Sequence, residues 1–288
     1  MAVHAHPDDE SSSTGGVLAL YAQEGIRTVV VTCTNGELGD GPSHVKPDEE
    51  GHDEKSVAAV RLAELDKACD ILGVSALERL GYHDSGMPEW RHRHRDDVFC
   101  NVPIEVAAGR LIALFEQYQP DVVATYADNG GYNHPDHLHA HHITVAAAER
   151  SRIPAKLYYI ARRRRDFQRL RDAMRAQGLE PPNQPPPDPE RMARISEQME
   201  ALEKRITTSV DVGPVVDLKR AALMAHASQL DESWFSKLPP ELYLEFFQEE
   251  TFIRAADTTG APVPEDDLFA GLRVRSDGRA GSSTPEPR

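Results

Sequence analysis

Short apolar runs, each followed by a polar turn and then by a stretch of helical periodicity, alternate along residues 1 to 230. That alternation predicts an α/β fold, a Rossmann-like, mainly parallel sheet flanked by helices. The expected strands are a short one ending at His4, then Thr28 to Thr34, Leu77 to Leu80, Asp121 to Thr125, Lys156 to Ile160 and Thr207 to Val212. Thr28 to Thr34 is β-branched almost throughout, as a parallel strand buried on both faces requires. Helices are expected over Val17 to Gln23, Glu54 to Leu72, Pro103 to Tyr118 and Val215 to His226, with Gly25 and Gly73 as stops. Almost no residue precedes His4, so either the first strand is short or the chain starts upstream of Met1.

Four stretches depart from the alternation. Asn35 to about Asp53 is a long polar segment, a candidate substrate lid. Trp90 to Arg95 reads as a solvated basic loop. Residues 161 to 206 read as a helical insertion or flap: a basic run at Arg162 to Arg165, then two charged helical stretches joined by the polyproline-prone Pro181 to Pro189. The α/β core then occupies residues 1–160 and residues 207–257 complete the same domain, with the aromatic-rich Trp234 to Phe252 expected near the substrate mouth. From Thr258 the composition turns to Gly, Pro, Ser and charge, which predicts a disordered tail over 258–288.

Two polar knots carry the candidate chemistry. The first, His4-Ala-His6-Pro7-Asp8-Asp9-Glu10, follows the first strand directly, and Pro7 forbids the strand from running through it. His6 and Asp9 are three apart, a spacing that can bring imidazole and carboxylate to one point in a single turn and suits a divalent ion such as zinc. Asp8 is left free to handle protons. Alone, this stretch reads equally well as a polar turn that caps the next helix. The second knot, Tyr132-Asn-His134-Pro-Asp136-His137, follows another strand and a Gly-rich loop. Ligands of open α/β sheets lie beyond the carboxyl ends of strands, so the two knots can share one metal. His6, Asp9 and His137 supply the three ligands of a catalytic zinc site with one position open. His141, one turn further along, is expected in the second shell or the core.

Composition narrows the class. A net charge of −15 over 288 residues argues against nucleic-acid or anionic-membrane partners. Cys33, Cys69 and Cys100 have no paired spacing, so neither a disulfide framework nor a thiolate metal site is indicated. No long apolar run or signal-like start is present, and a cytoplasmic protein is expected. The glycine pair Gly15-Gly16 lacks the Gly-x-Gly-x-x-Gly pattern and is preceded by acids, which excludes a dinucleotide loop. Ser11 to Ser13 lack a nucleophile elbow.

The chain resembles the zinc-dependent N-acetylglucosaminyl deacetylases, the LmbE-like or PIG-L-like family. The resemblance rests on Ala5 to Glu10, Val31 to Thr34 with Gly36-Glu37, Arg61 to Leu65, Leu80 to Met87, Asn129 to His137 and Ala225 to Gln229, in that order. It implies hydrolysis of an acetamide on an amino sugar, with zinc, or another divalent ion such as Fe²⁺, on His6, Asp9 and His137. It also implies Arg61, Asp84 and His226 as substrate-binding residues, with Arg61 and Asp84 on the sugar and His226 close to the site. In this scheme Asp8 takes a proton from water. His134, oriented by Asp136, stabilises the oxyanion or acts as general acid, and the Tyr132 hydroxyl helps as a donor. The expected partner is a small acetamido-sugar. Two alternatives stand beside the deacetylase: an amidase for a larger acyl group on a glucosaminyl-inositol conjugate, and a zinc-dependent sugar-binding protein without turnover. An intact Asp8 and His134 count against the last.

Overall fold

The structure, a computed structural model, describes residues 1–178, 189–230 and 237–273. Its sheet has seven strands: β1 (Ala2–His4), β2 (Val29–Thr34), β3 (Ala76–Tyr82), β4 (Val122–Tyr126), β5 (Lys156–Ala161), β6 (Thr208–Asp211) and β7 (Glu249–Asp257). They lie in the order β3-β2-β1-β4-β5-β7-β6. The first five are parallel, and β7 runs antiparallel to both β5 and β6. The strand order reverses beside β1, which pairs with β2 through Val3↔Val31 and with β4 through Ala2↔Ala124. Loops leaving the carboxyl ends of β1 and β4 therefore diverge to opposite faces and open a crevice between them.

Both faces of the sheet are covered by helices. In chain order these are α1 (Asp9–Ser13), α2 (Gly15–Gln23), α3 (Glu54–Leu72), α4 (Ile104–Tyr118), the kinked turn α5 (Gly130–Asn133) and α6 (Pro135–Ser151). After them come α7 (Arg164–Ala176), α8 (Pro189–Glu203), α9 (Val216–Ala225), α10 (Ala227–Leu230) and α11 (Pro240–Phe247). One core layer joins α2, α3 and α9 through Val17, Leu65, Leu72 and Ala222, and the other joins α4 and α6 through Leu111, Phe115, Ile143 and Ala147. Asp53 caps α3 by accepting the Ser56 N–H at 3.1 Å, and Gly73, the predicted stop, ends it at φ +70°.

Two expectations are corrected. The chain beyond Thr258 does not trail off as far as it is described: Leu268 is buried in the core, and the Glu265 carboxylate accepts from Lys156 Nζ at 2.5 Å, Tyr158 Oη at 2.8 Å and Thr208 Oγ1 at 2.9 Å. The physical reason is a buried lysine in β5, which needs a counter-ion and takes it from this segment. The remainder of the expected tail, 274–288, lies outside the described residues, as does 179–188 within the Pro-rich connector. The aromatic stretch 234–252 divides into α11 and the start of an unforeseen strand, β7, with 231–236 outside the described residues. Tyr243 and Phe247 pack with Leu170 of α7 and Leu223 of α9, and Phe252 is fully buried. Among the described residues no helix is long and apolar enough to cross a membrane.

Candidate active site

The turn after β1 is held by its own polar atoms. Pro7 stops the strand, and Asp8 adopts φ +115°, a conformation that non-glycine residues rarely hold without surrounding constraint. The Asp8 N–H donates to Glu10 Oε2 at 3.0 Å, and the His6 N–H donates to Asp9 Oδ2 at 3.0 Å. After β4, Asn129 accepts the Gly131 N–H at 3.0 Å and starts the α5 turn. Gly130 sits at φ +60° with no room for a side chain, because a Cβ would meet the His137 Cβ at 3.0 Å. Pro135 opens α6, and His134 caps it: its Nδ1 accepts the Asp136 N–H at 3.2 Å.

These two turns bring three ligand atoms together. His6 Nδ1, Asp9 Oδ2 and His137 Nε2 form a triangle with sides of 3.3, 3.4 and 3.3 Å. A tetrahedral zinc with bonds of about 2.0–2.1 Å separates its ligand atoms by about 3.3 Å, so the triangle has the size of one face of such a site. The far sides of the rings set the tautomers. His137 Nδ1 lies 3.0 Å from the Gly130 carbonyl, which can only accept, so the neutral ring keeps its proton there and turns a lone pair inward at Nε2. His6 Nε2 faces Asp136 Oδ2 at 3.2 Å, which turns the Nδ1 lone pair of the neutral ring inward too. Burial works against charge on His6, but Asp84, Asp136 and Asp9 outweigh it and raise its imidazole well above the usual range. This point favours positive charge, and the donor set fits a borderline divalent metal. His134 offers a further ring nitrogen within 4.8 Å of His6 and His137.

Asp8 stands beside the triangle, not in it. Its side chain keeps 29 % of its surface, and its carboxylate meets Arg61 Nη2 at 3.1 Å. Desolvation at the cleft floor raises its carboxyl, Arg61 opposes this and Asp9 adds to it, giving about 6. Burial, with the charges of His6 and His137, lowers the His134 imidazole to about 2. Since its Nδ1 accepts a backbone N–H, neutral His134 carries its proton on Nε2. Tyr132 is 46 % exposed, with its ring centred 5.0 Å from that of His137.

Two expected roles change, those of Asp136 and His226, and Arg61 and Asp84 prove to be held by other residues of the site. The Asp136 carboxylate does not orient His134: it accepts from His6 Nε2 and from the Ser85 N–H at 2.9 Å, and only its backbone N–H reaches His134. The start of α6 separates the backbone of Asp136, which faces the cap, from its side chain, which faces β1. Arg61 is 5 % exposed and donates to the Pro7 carbonyl at 2.7 Å, the Gly36 carbonyl at 2.9 Å and Asp8. Asp84 is 4 % exposed, accepts the Gly86 N–H at 2.8 Å and lies 3.6 Å from His6 Nε2. Within the protein Arg61 contacts Asp8, and Asp84 stands beside His6. His226 is 0 % exposed and bound to Glu10 Oε1 at 2.7 Å, so no substrate atom can reach it here. His141, as expected, lies behind the site, with Nδ1 2.9 Å from the Tyr126 carbonyl.

Three further residues serve the site: Ser85, Glu10 and Tyr126. The Tyr126 ring stacks on His137 at 4.1 Å, and its hydroxyl accepts the Ala5 N–H at 2.8 Å. Tyr126 ends an apolar strand and Ser85 lies in a loop, so neither carried a periodic signal. Glu10 stood inside the first knot, where its neighbours drew the chemistry.

Residues 1–148 match the family described as PIG-L, GlcNAc-PI de-N-acetylase. The chain belongs to the PIG-L family. It is 37 % identical to a mycothiol S-conjugate amidase of Streptomyces coelicolor, across 95 % of this chain and 97 % of that one. It is 36 % identical to a 1D-myo-inositol 2-acetamido-2-deoxy-alpha-D-glucopyranoside deacetylase of Acidothermus cellulolyticus, across 98 % of both. Among solved structures, the N,N'-diacetylchitobiose deacetylase of Pyrococcus horikoshii shares the fold, with a TM-score of 0.55 at 20 % identity over 88 % of this chain and 82 % of that one. Membership of the PIG-L family makes this chain an amide-hydrolysing enzyme, and its two knots are the stretches on which the family resemblance is most specific.

Proposed function

We propose that this PIG-L enzyme removes the N-acetyl group from an N-acetylglucosamine-type glycoside, with glucosaminyl-inositol the favoured class, releasing acetate and a free amine. The observation that carries the reading is the convergence of three ligand atoms beside one part-exposed carboxylate, Asp8, that is not among them. A divalent ion on His6, Asp9 and His137, most simply zinc, would supply Lewis acidity to water and to the amide carbonyl.

The chain's own residues divide the rest. Asp8, with a carboxyl near 6 and an open edge to the cleft, accepts a proton from the attacking water at neutral pH. Neutral His134 offers its Nε2–H to the oxygen that becomes negative when the amide is attacked. Its low affinity for a second proton, in the absence of metal, favours this donor role over that of a cationic acid. Asp8, once protonated, is then the group that returns a proton to the departing nitrogen. Burial and the charge of Asp9 raise the pKa of the Tyr132 hydroxyl, so it stays protonated and adds a second donor for the substrate. Arg61 and Asp84 support Asp8 and His6 from below.

A second reading is kept because the amidase relative matches about as well as the deacetylase one: cleavage of a larger acyl group from the same kind of amino sugar. Incubation with N-acetylglucosaminyl-inositol, simpler N-acetylglucosaminides and bulky N-acyl conjugates, read by mass, tests both. Loss of an acetyl mass from the small substrates supports the deacetylase; turnover confined to bulky conjugates supports the amidase; retention of every acyl group rejects the reaction.

A further inference from the structure

The segment Ala225 to Gln229 has no task in the chemistry above, yet each of its polar side chains bonds a different part of the chain. Ser228 donates its N–H and its hydroxyl to the two oxygens of Glu64 on α3, at 2.8 and 2.7 Å. The Gln229 amide brackets Asp40, accepting its N–H and donating to its carbonyl, both at 3.1 Å. His226 goes deepest: its Nε2 meets Glu10 Oε1 at 2.7 Å, with both side chains 0 % exposed.

Glu10 passes that contact on. Its second oxygen accepts the Asp8 N–H, and the Ser12 N–H donates to the Asp8 carbonyl at 3.0 Å. Asp8 is thus tied at its N–H, its carbonyl and its carboxylate, and such ties are what keep a non-glycine residue at φ +115°. Asp9 is held separately, by the His6 N–H and by its place in the triangle. Loss of His226 would leave the buried Glu10 carboxylate without its charged partner and with the Ser11 hydroxyl alone on that oxygen, so its hold on the Asp8 N–H would loosen while the three metal-binding atoms stay where they are.

We propose that Glu10 and His226 are positioning residues that fix the backbone of Asp8 so that its carboxylate faces the cleft. The proposal rests on the reading of Asp8 as the proton acceptor. It separates two neighbours by support: Asp9 is placed by metal-binding partners, and Asp8 by a buried pair that reaches it from the far end of the chain.

The test uses the full chain loaded with metal. His226→Leu is expected to keep its metal and a KM within about twofold of wild type while kcat falls on the order of 10- to 100-fold, the penalty of a misplaced reacting group. His226→Gln, whose amide can still donate to Glu10, is expected to recover most of that loss. Ser228→Ala, which loosens the same segment without touching Glu10, is expected to keep kcat. Unchanged kcat in His226→Leu, a loss explained by missing metal, or an equal loss in Ser228→Ala overturns the proposal. Should His226→Leu fail to fold, Glu10→Ala, which removes the acceptor of the Asp8 N–H, carries the same expectation and the same refutation. If the wild type hydrolyses no amide at all, the reaction reading has failed, and a crystal structure of His226→Leu, or of Glu10→Ala in its place, still decides the positioning. Asp8 leaving positive φ supports it, and Asp8 unmoved refutes it.

Discussion

His6 Nδ1 and His137 Nε2 face each other at 3.3 Å, and the partners behind the two rings leave a bare lone pair on each neutral imidazole at that point. Two lone pairs and the Asp9 carboxylate oxygen are a poor arrangement for an empty cavity and a good one for a cation. The carbonyl of Gly130 matters as much as the ligand it orients, because it decides which nitrogen of His137 is free.

Removing a ligand should therefore empty the site. The purified protein is expected to carry about one divalent ion per chain, and His137→Ala to lose most of it, since an ion on two protein ligands is held largely by water. Metal analysis of the two proteins checks this; full occupancy in the variant would reject His137 as a ligand.

Asp136 acts through His6, whose Nε2 its carboxylate meets at 3.2 Å. Asp136→Ala strips the partner from His6 Nε2 and frees that ring to change tautomer, so metal affinity should fall about 10- to 100-fold without loss of stoichiometry at saturating metal. Competition with a chelator measures it, and unchanged affinity would show that the carboxylate serves only Ser85.

The Glu265 carboxylate links the chain beyond Thr258 to the sheet, and it predicts a stability that depends on pH. Burial tends to raise its carboxyl, but hydrogen bonds from Lys156, Tyr158, Thr208 and Arg254 outweigh this and hold it below the usual range. A group depressed in the folded state stabilises the fold above its unfolded pKa, and that contribution is lost as pH falls through the folded value. Glu265→Gln should lower neutral-pH stability by about 3–5 kcal/mol, because Lys156 is left buried and unpaired. The deficit relative to wild type should shrink in acid. Denaturant melts across pH test it; an unchanged midpoint at pH 7 would show that the pair contributes nothing.

Much of the site was legible because its chemistry is contiguous. His6, Asp8 and Asp9 lie in one turn, and Tyr132, His134 and His137 in another, so strand-then-knot patterning pointed to both. Spacing cannot report which way a side chain leaves the backbone, and Asp136 shows the cost: two residues from His134, it serves His6 instead. The fold followed the same rule. The parallel strands read as apolar runs, but β7 begins and ends in charge and was not seen. Lys156 lies in a buried strand, and nothing local could name its carboxylate partner Glu265, 109 residues away.

Asp8 and Asp9 are chemically identical, and only the backbone distinguishes their jobs, so the most direct measurement takes metal content and turnover from the same preparations of Asp8→Asn and Asp9→Asn. Asp8→Asn is expected to keep its metal and lose about 10²- to 10⁴-fold in kcat, the usual cost of removing a general base. The acidic limb of kcat/KM, at or below about pH 6 in the wild type, should be altered in it. Asp9→Asn is expected to bind metal weakly. An Asp8→Asn enzyme that loses its metal while Asp9→Asn keeps it, or one that turns over at near wild-type rate with metal bound, would contradict the assignment.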